Sequence, residues 1–299
     1  MKRSALALII GLAALVGIAM SALAQDGGLS FQTVNFPGDT FTQLLGINSS
    51  DTIAGYHGAD PNNRGFVLTL PNTFTAENFP GSDQTQVIGI NNRGDTAGFY
   101  ITAGTTHGFL DIDGTFSTVD SPGTMFNQLL GLNTLDQAAG FFEDADGNDH
   151  AYTFDPKRGV FSAITIPGAT SAQATGINDP GRVSGFYVDN HDVTHGFLLA
   201  GGALTTLDFP GSTSTQAFGL NNRGEVVGAY VDTAGNTHGF VHSNAHFQSV
   251  DHPQGVGVTL INGINPRGQI VGFYGPAEDG AVCGGPVCNG FVGTPDSGD

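Results

Sequence analysis

From Phe31 onward the chain is built of short apolar–polar runs, five to seven residues long, cut by turns of Asn, Gly, Asp and Pro. The stretch 204–251 shows the pattern: LTTLDF, a Pro-Gly connection, TQAFGLN, the turn NNRG, EVVGAYV, the turn DTAGN, THGFVHS, an Asn-Ala turn and FQSVD. Runs this short, rich in Val, Thr, Phe and Tyr, suit a pleated surface, and the Asn/Gly/Asp breaks suit hairpins. No segment sustains the 3.6-residue period of an amphipathic helix. The pattern predicts an all-β chain of antiparallel hairpins.

The runs repeat. A glycine followed by Ile or Leu and then Asn occurs at Gly46, Gly89, Gly131, Gly176, Gly219 and Gly263, at spacings of 42 to 45 residues. Four antiparallel strands in such a period describe one blade of a β-propeller, and hairpin turns between successive strands speak against a parallel β-solenoid. Six units, near 31–73, 74–115, 116–160, 161–203, 204–246 and 247–295, predict a six-bladed propeller. The G-[IL]-N strand is expected innermost, where blades converge and a glycine lets backbones approach. Consecutive apolar residues such as Leu44-Leu45 and Val87-Ile88 fit a strand covered on both faces. Asn48, Asn91, Asn133, Asn178, Asn221 and Asn265 open turns, where the side chain can bond nearby backbone amides. The chain begins on a fourth-strand motif, FQTVNF, and ends on a third-strand motif, NGFVG. The first strand, Phe31–Phe36, is therefore expected to complete the last blade beside Gly290–Gly293.

The aligned units resemble the HAF-type extracellular repeat of secreted bacterial proteins, which runs GIN-x-x-G-x-x-V-G-x-Y, an Asp/Gly/Asn turn, then H-[GA]-F. Here it stands as GLNNRGEVVGAYVDTAGNTHGF at 219–240 and GINNRGDTAGFYITAGTTHGF at 89–109. The resemblance spans nearly all of the chain after residue 24, implies export and a propeller-like fold, and supplies no catalytic residues. Arg64 and Asn289 stand where the repeat has histidine, which rules out a six-fold histidine ring.

Composition adds the compartment. Lys2 and Arg3 precede an apolar stretch from Ala5 to Met20, and Ser21-Ala22-Leu23-Ala24 forms a small-x-small cleavage pattern. Residues 1–24 are read as a cleaved signal peptide and 25–299 as one six-repeat domain, exported to the periplasm or beyond the cell and not inserted in a membrane after cleavage. Losing Lys2 and Arg3 deepens a net charge of −18 by two and leaves Lys157 as the one lysine. Such an acidic surface repels nucleic acid, which is excluded as a partner.

Candidate chemistry is sparse. His107, His150, His195 and His238 open equivalent third strands. A whole blade separates them, so they are expected to bond turns rather than share a metal. Asp144, Asp146 and Asn148 lie in the most acidic turn and partly resemble a calcium loop, a weakly bound Ca²⁺ being the one cofactor considered. Cys283 and Cys288 are the two cysteines, and in an exported chain they are expected to form a disulfide. His191, Asp192, His252, Glu278 and Asp279 depart from the repeat and are the candidate binding residues. No G-x-S-x-G, HExxH or phosphate-binding glycine loop occurs. The sequence favours a monomeric, non-catalytic binding module for a glycan, surface polymer or protein. The alternatives are a carbohydrate-active hydrolase or lyase with its site at the axial mouth, and a structural component of an extracellular matrix. Titratable off-pattern residues at the mouth would favour the enzyme, and rings of one residue type the binder.

Overall fold

A computed structural model of the chain describes residues 28–275, Cys283 and 287–296. The signal segment, Glu278 and Asp279 lie outside the described residues. Among the described residues every regular element is a strand, and 24 strands make six four-stranded antiparallel sheets. The first blade is β2 (Thr42–Ile47), β3 (Thr52–His57), β4 (Arg64–Thr69) and β5 (Thr73–Ala76), in chain order from the axis outward. Blades two to five repeat this order with β6–β9, β10–β13, β14–β17 and β18–β21. The chain is a six-bladed β-propeller.

The sixth blade closes the ring. Its strands β22 (Thr259–Ile264), β23 (Ile270–Tyr274) and β24 (Asn289–Pro295) take β1 (Leu29–Thr33) as the outer strand. Phe31 lies opposite Gly293 and Thr33 opposite Phe291. The ladder starts two residues earlier than the repeat suggested and ends at Val34, whose amide bonds the Gly290 carbonyl at 2.8 Å. Asn35 then turns inward, accepting from the Gly290 amide and donating to Asn289 Oδ1. Pro37 has no amide with which to continue.

Six apolar clusters sit one to a seam between neighbouring blades. A seventh draws on five blades: Leu45 and Tyr56 of the first, Ile88 of the second, Phe186 of the fourth, Phe218 of the fifth and Phe273 of the sixth. Only the axis is common to them. The paired apolar residues of the inner strands divide between these environments, because every inner strand carries a β-bulge. Leu44 packs into the seam, while Leu45, the extra residue, packs into the axial cluster. The extra residue, not simple two-sided cover, explains the doublet.

The repeated inner glycine is dictated by space. A Cβ on any of the six would fall within 3.0 Å of an atom of the next blade's backbone, including Ile88 O for Gly46, Gly176 Cα for Gly131 and Leu45 O for Gly263. This ring of close approaches constricts the axis. The glycine of strand two has a different reason: at Gly98 a Cβ would run into the Gln86 carbonyl of the blade's own inner strand, and then the ring of Phe109 at 2.8 Å. Phe109, like Phe66, Phe197, Phe240 and Phe291, is wholly buried. Each such ring contributes about 1.5–3 kcal/mol by burial.

Candidate functional site

The inner strands end at the asparagine ring. Asn48 Oδ1 accepts from the amides of Ser50 and Thr52, closing its own turn. Its Nδ2 donates to the backbone carbonyl of Asn91 in the next blade, at 3.0 Å. The same step runs from Asn91 to Asn133, Asn133 to Asn178, Asn178 to Asn221 and Asn221 to Asn265. The seam breaks the chain of amides: Asn265 Nδ2 donates to Asp51 Oδ1 instead. Arg267 reinforces that step, bonding the Ser49 carbonyl and the Asp51 carboxylate. The asparagines thus do more than cap turns; each one ties its blade to the next.

A second circle lies just outside. Asn92 Oδ1 accepts from the Ser49 amide, Asp179 Oδ1 from Thr134 and Asn222 Oδ1 from Asp179. Together the circles line a recess of about 60 Å³ at this mouth. That holds a few waters and falls short of the several hundred Å³ of a small-molecule pocket. Among the described residues Asp179 is the one carboxylate lining it. Burial pushes Asp179 up, but bonds from Thr134 and Asn222 outweigh that and hold it below the usual range. The inner circle of the mouth is a ring of one residue type, and among the described residues lining the recess no two titratable groups converge.

The opposite face, where fourth strands hand over to the next blade, carries the histidines. His107 Nδ1 lies 2.7 Å from Asp120 Oδ2, His195 Nδ1 2.9 Å from Asp208 Oδ1, and His238 Nδ1 2.8 Å from Asp251 Oδ2. A carboxylate only accepts, so each Nδ1 carries the proton. The aspartate comes 13 residues after its histidine, beyond the fourth strand of the same blade. Each imidazole also stacks on the strand-two aromatic, at 5.1 Å on Tyr100, 5.1 Å on Tyr187 and 5.0 Å on Tyr230. His238 has a second carboxylate, Asp232, 3.2 Å from Nε2. With a bond to Asp251 at one nitrogen and Asp232 at the other, His238 is held above the usual imidazole range. Burial pushes Asp232 up, but bonds from Asn236, His238 and the turn amides bring it to about 2. All four histidines bond carboxylates of their own blades.

The pairing changes as a unit where the histidine is absent. Arg64 is matched by Asn78 and Asn289 by Asn35, and each asparagine keeps the bond to the following glycine amide. His150 has Thr165 in place of the aspartate and bonds Asp144 Oδ2 at 2.7 Å instead.

The other candidate residues are scattered. Asp144 Oδ1 accepts from the amides of Asp146 and Asn148, and its second oxygen faces His150 and Asn148. The bond from His150 and those from Asn148 hold the carboxyl well below its usual range. Its oxygens close a turn, as do those of the equivalent Asp189 and Asp232. Among the described residues no three His, Cys, Asp or Glu side chains converge as a metal site requires. His191 and Asp192 form the exposed tip of the turn between β15 (Val183–Asp189) and β16 (Thr194–Ala200), with Asp192 in the left-handed region at φ 63°. His252 is buried, 4% exposed, and stacks on Tyr274 at 3.9 Å. It fills the place that Phe209 takes over Tyr230 and Phe79 over Tyr100. Burial lowers its imidazole below the usual range. Cys283 and Cys288 form a disulfide packed in the axial cluster. Sequence reasoning missed Asp120, Asp208 and Asp251, whose signal was a recurring Asp before Pro in the strand-four connections.

The sequence matches no protein family and no curated protein. Solved structures match by shape. Virginiamycin B lyase from Staphylococcus aureus is 10% identical, with 89% of this chain and 99% of that one covered at a TM-score of 0.51. A candidate TolB from Agrobacterium tumefaciens is 9% identical, covering 70% and 80% at 0.57. SapL1 lectin in complex with alpha methyl fucoside is 10% identical, covering 79% and 88% at 0.52. At these identities the likeness is one of fold alone.

Proposed function

We propose that this chain is an exported, non-catalytic propeller of the HAF-repeat kind that binds a neutral glycan through its histidine-bearing face. One observation carries the reading: an imidazole and a carboxylate recur together, backed by a stacked tyrosine, in blades two, four and five of that face. Imidazole–carboxylate edges held in this way can bond the hydroxyls of a sugar. Equal weak sites around a ring suit a polymer that presents the same sugar repeatedly. The acidic surface disfavours an anionic polymer. The methyl fucoside on SapL1 lectin makes a neutral sugar a sensible probe. Export agrees with the disulfide and with the absence, among the described residues, of a helix long and apolar enough to cross a membrane.

The test is calorimetric titration of the chain from residue 25 with neutral polysaccharides and methyl fucoside, with product analysis of the same mixtures. Binding should weaken with His195→Ala and fall much further, for the polymer, with His195→Ala and His238→Ala combined. Accumulating cleavage products, or binding indifferent to both substitutions, would overturn the proposal.

A further inference from the structure

The six seams are built from the same three repeat positions. These are the residue before the Asx of the connection, the residue two before the strand-two glycine, and the residue four beyond the histidine position. Between blades six and one they are Val34, Ile53 and Leu68, all in one apolar cluster. Between blades three and four they are Ile164, Val183 and Leu199, again together in one cluster. In every seam but one the first two positions are apolar. The exception lies between blades one and two, where the three are Glu77, Thr96 and Asp111.

The contacts confirm that these three meet. Thr96 Oγ1, on a side chain 1% exposed, donates across the seam to Glu77 Oε1. Thr96 and Asp111 are direct cross-strand partners between β7 (Thr96–Thr102) and β8 (Thr105–Ile112). Side chains so placed on one face lie within about 5.5 Å at Cβ. Asp111 Oδ1 is buried and has no hydrogen-bond partner. Two carboxyl groups therefore share a seam whose first two positions are apolar in every other blade pair, where the third carries His242 between blades four and five and no carboxylate anywhere, and one of the oxygens lacks a donor.

The charges around them do not relieve this. Asp95, on the turn before β7, adds a repulsive charge beside Asp111. Arg93 bonds Asp95 at 2.7 Å, Asp136 and the Thr134 carbonyl, not Asp111. Lys157 is held on Asp136, 3.1 Å away. On the first-blade side Glu77 has the backbone of Gly65 beside it, its amide bonding the Gly65 carbonyl at 2.9 Å.

We propose that this seam is a proton-operated latch, in which Glu77 and Asp111 hold one proton between the first two blades and the seam loosens when both ionise. Two carboxylates in a part-buried site cannot both carry charge cheaply, and the pair titrates as a unit. Burial, with the Asp111 charge adding to it against the Thr96 bond, pushes Glu77 up to about 7. Burial and then Asp95 raise Asp111. The folded seam thus keeps a proton that an unfolded glutamate releases from an ordinary value of 4.5. Its stability is full below that value, declines as pH rises toward about 7 and then levels off. Opening this seam should become on the order of 30-fold easier between pH 5.5 and pH 8.

Hydrogen exchange at pH 5.5 and 8.0, corrected for intrinsic rates, reads each seam separately. Peptides covering 64–79 and 96–112 should lose protection on that scale while those of the other seams hold. Glu77→Gln, neutral at both pH values, should abolish the difference. Glu77→Val, which restores the residue type of the other seams, should do the same and keeps the test sound if the glutamine variant folds poorly. An infrared band of a protonated carboxyl at pH 5.5 should vanish in Glu77→Gln. Uniform loss of protection across all seams, or a pH response that survives both substitutions, overturns the latch.

Discussion

Asn133 offers the sharpest test of how the ring holds together. Its side chain, 2% exposed, makes four hydrogen bonds. Oδ1 accepts from the amides of Leu135 and Gln137, each at 3.0 Å. Nδ2 donates to Gln137 Oε1 at 3.0 Å and to the Asn178 carbonyl at 3.1 Å. Asn133→Ala removes all four and takes the partner from two amides and from Gln137 Oε1 beside a recess with room for little water, while the Asn178 carbonyl keeps the Gly181 amide. Leu135 is exposed, so its amide can be rehydrated. At roughly 1 kcal/mol per lost bond the net loss is about 3–4 kcal/mol. For a domain of this size that lowers the melting temperature by about 10 °C. Asn133→Asp keeps both acceptors but turns a carboxylate toward the Asn178 carbonyl, so it should be equally damaging at pH 7 and partly rescued on acidification. Scanning calorimetry of the two variants and wild type measures both effects. A shift of under about 2 °C for Asn133→Ala would show that the ring is incidental to stability.

Gly131→Ala should prevent folding or lower the melting temperature beyond any asparagine variant, because its Cβ would stand 2.8 Å from Gly176 Cα and 2.9 Å from Ile177 N. Circular dichroism melting checks it, with Gly123→Ala, which has nothing within 4 Å, as the milder comparison. Deleting residues 25–36 removes the outer strand of the sixth blade and exposes the edge of β24, so the melting temperature should fall markedly; an unchanged melt would refute the closure.

The period made most of the fold legible. Each hairpin turn carries its own chemistry, so the six repeated asparagines located the inner strands, and the mismatch between the chain's ends located the clasp. The bulge was hidden because LLG and VIG read equally well as strands covered on both faces. The partners of the histidines were hidden by distance, 13 residues and a strand away. His252 looked foreign because FPG and HPQ differ in every letter but Pro, although both place a flat ring over a tyrosine. Glu77 was visible only down a column. In five copies the residue before the Asx position, or before Thr165, is Val, Ile or Leu, and in one it is glutamate. A row-by-row search for motifs passes over that difference, since nothing around Glu77 resembles a site until the blades are stacked.

The two ends of the propeller respond differently to change, and this bears on the binding face proposed above. At the asparagine end each side chain bonds the next blade, so altering one removes bonds from two. All six copies accordingly keep the asparagine, and even the seam, where the acceptor becomes Asp51, keeps the donor. At the histidine end each spoke is bonded inside its own blade, so a change is absorbed where it occurs. Arg64 with Asn78, Asn289 with Asn35 and His150 with Thr165 are three such local rearrangements. Variation that leaves the ring intact is possible at that face and obstructed at the other. With binding at that face, as proposed, a scaffold of this design can alter what it recognises blade by blade without renegotiating how the blades hold one another.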